Sequence, residues 1–75
     1  MSKARVSNSI RKFRFNHDEM TQQQLAEKVG VTRQTIIAME KGKYSPSLEL
    51  AFRISIAFDS PLEEVFSYDL QDTNQ

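Results

Sequence analysis

No cysteine occurs in the 75 residues, which excludes a disulfide framework and any cysteine-ligated zinc site. The single histidine, His17, cannot build a metal cluster by itself. A chain this short lies near the lower size limit for a core that folds without such staples, so it must pack efficiently or share a core with a partner. No run approaches the roughly 18–20 apolar residues that a membrane-spanning helix needs. The opening MSKARVSNSIRKFRF is basic but leads into no apolar stretch and no small-residue cleavage site, so a secretory signal is not expected. Missing cysteine is compatible with a reducing compartment, and a cytoplasmic protein without membrane association is the expectation. With only two glycines and two prolines as punctuation, the chain should be helical with short connections.

The formal net charge is zero, but the charges are sorted. Residues 1–43 carry nine lysines and arginines against four acidic residues, and residues 44–75 carry one against six. That division suggests a basic face for a polyanion, or a solvated surface whose charges happen to segregate.

Along the chain, Val6 to about Phe15 places Ile10 and Phe13 at helical spacing, and Asn16–Glu19 reads as a loop. Thr21 and Gln24 have the spacing of a capping box at the start of a second helix, whose inward stripe is Leu25, Ala26 and Val29. Gly30 ends it, as a left-handed terminator should. Thr32 caps a third helix with Ile36 and Met39 inward, ending at Gly42. Ser47 is the expected cap of a fourth helix with Leu48, Ala51, Ile54 and Phe58 on its apolar side. Ser60-Pro61-Leu62-Glu63 is the expected cap of a short fifth. The alternation in VFSYDL suits a brief strand, and residues 70–75 read as a frayed tail. The expected fold is all-α: one domain over residues 1–75 with its core in about 6–68, five short helices, and room for one small strand pair.

Two helices joined by a short glycine-containing turn, each with a narrow apolar stripe, make a helix-turn-helix pattern, here over about residues 21–41. Ala26 belongs to it, because helices meeting closely at a sharp angle leave space for only a small side chain. In such a motif the second helix enters the major groove with its first residues against base edges.

The stretch TQQQLAEKVGVTRQTIIAMEKGKYSPSLELA resembles the phage repressor and Cro proteins and the xenobiotic-response-element class of bacterial regulators. The likeness spans about residues 8–66 and implies a lambda-repressor-like fold and double-stranded DNA as partner. TRQTI and EKGKYSPSLELA are particularly similar to the minimal members without a separate effector domain. One such group, similar to the repressor of cytolysin operons, adds a small antiparallel sheet from its chain ends. Val6 and Phe66–Tyr68 are the regions that would do so here.

The resemblance implies that Gln22 grips a phosphate and braces the recognition helix, that Thr32 caps that helix beside the backbone, and that Arg33 and Gln34 hold its first exposed positions. Ile37 and Ala38 follow one turn later, and Lys41, Lys43 and Tyr44 match backbone contacts after the helix. The chemistry agrees. Arg33 can donate two hydrogen bonds to guanine, and Gln34 can pair with adenine. The methyls of Thr35, Ile37 and Ala38 suit thymine methyls, while the lysines bring charge without sequence information. Duller readings stand beside these: Gln22 as a solvent-facing helix former, Arg33 offsetting Glu27 or Glu40, Ile37 as core, Thr35 packed on the second helix. Arg11, Lys12 and Arg14, with Lys3 and Arg5 before them, are read either as flanking phosphate contacts or as a solvated face and a loose terminus.

Two departures concern the loops. Where many members have a glycine before the second helix, NHDEM has none, and Asn16 is the expected left-handed residue; Asp59 stands where a glycine commonly ends the fourth helix. The expected function is a sequence-specific DNA-binding regulator, a repressor acting as a homodimer on two half-sites, with no ligand domain. Ile56, Leu62, Phe66 and Tyr68 are the nominated dimer face, or else they close the monomer's core. An antitoxin that represses its own operon is one alternative, and a protein-interaction module on the same scaffold is another. No catalytic or metal-binding spacing is present, so neither an enzyme nor a cofactor is expected.

Overall fold

A computed structural model describes residues 6–68. The frayed-tail expectation and the arm residues Lys3 and Arg5 lie outside them. The order is β1 (Val6–Asn8), α1 (Ile10–Phe15), α2 (Gln22–Val29), α3 (Arg33–Glu40), α4 (Leu48–Ala57), α5 (Leu62–Val65) and β2 (Phe66–Tyr68). The two strands pair antiparallel, Val6 opposite Tyr68 and Asn8 opposite Phe66, so the ends of the described chain close on each other. Five helices and the small end-to-end sheet match the expected architecture.

The helix boundaries follow from their caps. Thr21 accepts from the Gln24 amide at 3.0 Å while the Gln24 side chain accepts from the Thr21 amide at 2.8 Å, completing the capping box. Thr32 caps α3 and Ser47 caps α4 by the single bond, each accepting from the amide three residues on. Past α3, the Lys43 amide donates to the Ala38 carbonyl at 2.9 Å and the Gly42 amide to Met39 at 3.0 Å. This double closure needs a left-handed residue between, and Gly42 has φ +76°.

The core gathers Ile10, Leu25, Ala26, Val29, Ile36, Met39, Ile54, Phe58 and Val65, all buried. At about 1.5–3 kcal/mol for each large aliphatic or aromatic side chain removed from water, these positions dominate stability. Phe58 stacks obliquely between Phe13 and His17, with ring centroids 5.4 and 5.2 Å away. His17 also bonds through Nδ1 to the Phe13 carbonyl at 2.8 Å, so it serves the packing of its loop.

Four local expectations are corrected. The first helix starts at Ile10, not Val6, because residues 6–8 are drawn into the sheet. Asn16 is right-handed; the loop before α2 places Asp18 (φ 59°) and Glu19 (φ 54°) in the left-handed region instead, while Asp59 (φ 53°) is left-handed as expected. Ser60 does not cap α5: its hydroxyl donates to the Phe58 carbonyl at 3.0 Å, and Pro61 takes the cap position. On α4 the buried face is Leu50, Ala51, Ile54 and Ser55, and Leu48 points outward. Docking against α2 and α5 turns that helix about its axis from the face that periodicity alone suggests.

Candidate nucleic-acid interface

Three features aim α3 outward. Gly30, with φ +80°, ends α2, and the amides of Gly30 and Val31 both donate to the Ala26 carbonyl at 2.8 and 3.0 Å. The reversal is completed from α4, where Arg53 Nη1 donates to the Val29 carbonyl at 3.2 Å. Ala26 on α2 is fully buried, and Ile36 and Met39 turn the inner side of α3 into the same core. The opposite side of α3 is left to solvent.

Arg33 and Gln34 are exposed at the start of that side, and Lys41, Lys43 and Tyr44 are exposed beyond its end. Thr35, Ile37 and Ala38 are half-buried. Thr35 lies over the cap, its hydroxyl 3.1 Å from that of Thr32. Ile37 is not core: it lines an open furrow between α1 and α3 with Gln22, Lys41, Arg11 and Lys12. A shallower furrow beyond shares Gln22 and reaches Gln23 and Arg33. One surface thus carries Arg33, Gln22, Ile37 and Lys41, with Arg11 and Lys12 on its far wall.

The one acid of α3 is withdrawn from this surface. Glu40 Oε2 accepts from Arg14 Nε at 2.7 Å, and its Oε1 accepts from Arg14 Nη2 and Gln22 Nε2, both at 3.1 Å. Arg14 also donates to the Met20 carbonyl at 2.8 Å. The side chains of Arg14 and Glu40 are only 15% and 10% exposed, so the pair is a partly desolvated, two-bond joint of α1 to α3. This corrects the expectation for Arg14, whose guanidinium is committed within the protein and does not stand free as a flanking phosphate contact. It also removes Glu40 as a partner for Arg33, and Glu27 accepts from Gln23 instead. Among the described residues the ion pairs are Arg14–Glu40 and Arg53–Glu49, which leaves Arg33, Lys41 and Lys43 outside any of them. Gln22 is tied to α3 through its bond to Glu40.

Two further residues shape the site without announcing themselves in sequence. Asn8 donates through Nδ2 to the Met39 carbonyl at 2.9 Å and accepts from the Ile10 amide at 3.1 Å, so one side chain starts α1 and holds the last turn of α3. Glu40 stood in the sequence only as a partner for Arg33, with nothing to mark the pair it makes with Arg14. The nominated dimer residues divide. Phe66 is buried in the core on the inward side of β2 and is withdrawn from that face; Leu62 is half-buried against the core; Ile56 and Tyr68 are exposed.

The comparisons with known proteins agree with this geometry. A family model described as helix-turn-helix matches residues 10–65. An uncharacterized HTH-type transcriptional regulator of Methanocaldococcus jannaschii is 50% identical over 64 residues, covering 85% of this chain and 96% of the relative. The cryptic phage CTXphi transcriptional repressor RstR of Vibrio cholerae is 34% identical over 61 residues, covering 81% of this chain and 54% of RstR. Among solved structures, the restriction-modification controller protein C.AhdI of Aeromonas hydrophila superposes with a TM-score of 0.66 at 25% identity, over 73% of this chain and 82% of that one. No helix among the described residues is long and apolar enough to cross a membrane. The helix that Gly30 turns outward is capped, its acid is tied down and its basic groups lie outside the ion pairs among the described residues, and the chain belongs to the helix-turn-helix family of DNA-binding transcriptional regulators, of the xenobiotic-response-element type.

Proposed function

We propose that this protein is a repressor that occupies an operator as a homodimer, each copy laying the first turn of α3 in the major groove. The observation that carries the reading is the contrast between Arg33 and Arg14. Arg33 stands exposed at the start of α3 with no ion-pair partner among the described residues, while Arg14 holds the helix's only carboxylate off the same surface. In this reading Arg33 reads guanine and Gln34 adenine, and the methyls of Thr35, Ile37 and Ala38 meet thymine. Gln22, Thr32, Lys41, Lys43 and Tyr44 contact phosphates, with Arg11 and Lys12 on the flanking backbone. One recognition helix reads few bases, and a two-fold dimer doubles the site by spanning half-sites about 34 Å apart. Occupying the operator then excludes polymerase sterically, which suits a small protein similar to a named phage repressor.

Selection of bound duplexes from a random pool, repeated with Arg33→Ala and Lys43→Ala, tests this. Arg33→Ala should relax preference at one base position per half-site. Lys43→Ala should weaken all duplexes alike and flatten the salt dependence. Equal, sequence-blind losses from both would remove Arg33 as a base reader.

A further inference from the structure

The outer side of α4 carries three large apolar side chains that the described residues leave half or more exposed. Leu48 is 67% exposed, Phe52 48% and Ile56 76%. Spaced four apart, they form one stripe along almost the whole helix. The inner side, with Leu50, Ala51 and Ile54, is already buried. A helix that is apolar on both sides is ordinarily buried on both, and the described residues bury α4 on only one.

We propose that the second covering surface is the α4 of another copy of this chain, packed antiparallel about a two-fold axis at Phe52. This rests on the operator-dimer reading above and names its contact face. A two-fold interface must be self-complementary, each patch meeting its own copy reversed. The stripe satisfies that condition. Phe52 meets its counterpart, and Leu48 meets Ile56 of the second copy, because the two lie equally far from Phe52 on either side.

The charges beside the stripe obey the same symmetry. Glu49 and Arg53 sit on one flank, 2.8 Å apart, with 75% and 53% of their side chains exposed. With a rise of about 1.5 Å per residue, the antiparallel arrangement sets Glu49 ~3 Å along the axis from the second copy's Arg53, against ~6 Å from its own. The flank therefore presents acid to base across the axis twice. Such pairs fix register and partner more than they add affinity. An unrelated protein would have to match this order of charges by coincidence, whereas a second copy matches it by symmetry.

Sedimentation equilibrium of the full chain without DNA decides the matter, using Phe52→Asp, Leu48→Lys and, as a control on the sheet, Tyr68→Ser. All three positions are exposed, and unchanged far-ultraviolet circular dichroism verifies the fold of each variant. The expected result is a dimeric parent, at least tenfold weaker association for the Phe52 and Leu48 variants, and little change for Tyr68→Ser. A dimeric parent whose Phe52 and Leu48 variants associate equally well would overturn the α4 face while leaving the operator dimer standing. A parent that stays monomeric with and without its operator would overturn both, and the stripe would then belong to a different protein partner. Whether this charged flank meets its own copy is tested by mixing. Glu49→Arg and Arg53→Glu chains should each self-associate more weakly than the parent, and an equimolar mixture should recover as a heterodimer. In that heterodimer the pairs within each chain remain broken, so recovery reports only contacts between chains. Absence of recovery would overturn the pairing of the Glu49 and Arg53 flanks across the axis.

Discussion

Arg14 and Glu40 lie 26 positions apart and meet at 2.7 Å, joining the first helix to the last turn of the recognition helix. The joint does two things at once. It orients α3 against α1, and it keeps a negative charge from standing free beside the surface proposed to meet phosphates. Gln22, bonded to the same carboxylate, brings the start of α2 into the arrangement.

Removing one partner of such a pair leaves the other desolvated without compensation. Arg14→Met or Glu40→Leu alone should therefore cost about 3 kcal/mol, the lower end of the range for buried pairs because both side chains keep some exposure. The double substitution replaces charge with apolar volume and should recover most of that loss. Urea denaturation of the four proteins checks it; additive losses in the double variant would mean the two residues act independently.

The loop before α2 holds two non-glycine residues in the left-handed region. Glu19→Gly should stabilise by about 0.5–1 kcal/mol, the relieved Cβ crowding outweighing the extra freedom of the unfolded chain. Gly30→Ala should do the reverse, by about 1–2 kcal/mol. Its Cβ would lie 3.5 Å from Arg53 Nη1, an ordinary contact, so the cost is one of backbone conformation and not of space. Thermal melting at matched concentration measures both.

Ala26 is fully buried on the inner side of α2. Ala26→Leu should destabilise by about 1–3 kcal/mol, since overfilling a close crossing moves backbone. It should also weaken specific DNA binding more than non-specific binding, because α3 is tilted while its charges are retained. Electrophoretic titrations of a selected site and a scrambled duplex would separate the two effects.

Arg33→Lys keeps the charge and loses the planar fork. Discrimination at one base position should fall by about 1–3 kcal/mol. The salt dependence of non-specific binding should stay as it was, since the number of cations is unchanged. Fluorescence anisotropy across a salt series gives both quantities from one set of titrations.

Local chemistry wrote much of this molecule into its sequence. Thr21, Thr32 and Ser47 cap helices as their types and spacing indicate, and Gly30 and Gly42 end helices where only left-handed backbone will do. Each of these depends on residues within a few positions, which a linear reading can see. The inward stripes of α2 and α3 were legible for the same reason.

Where distant parts of the chain meet, a linear reading had nothing to weigh. Leu48 and Leu50 fit a helical stripe equally well, and docking of α4 on α2 and α5 chose Leu50. The inward turn of Phe66 was settled by the pairing of β2 with β1, which sets one side of a strand to the core. Arg14 looked like one more cation in a basic segment until the fold brought Glu40 to it. Short-range hydrogen bonding and backbone sterics therefore specified the helices and the turn that expose Arg33. The allocation of faces and charges between helices came from long-range packing, where burial energy selects among alternatives that local propensity leaves nearly equal.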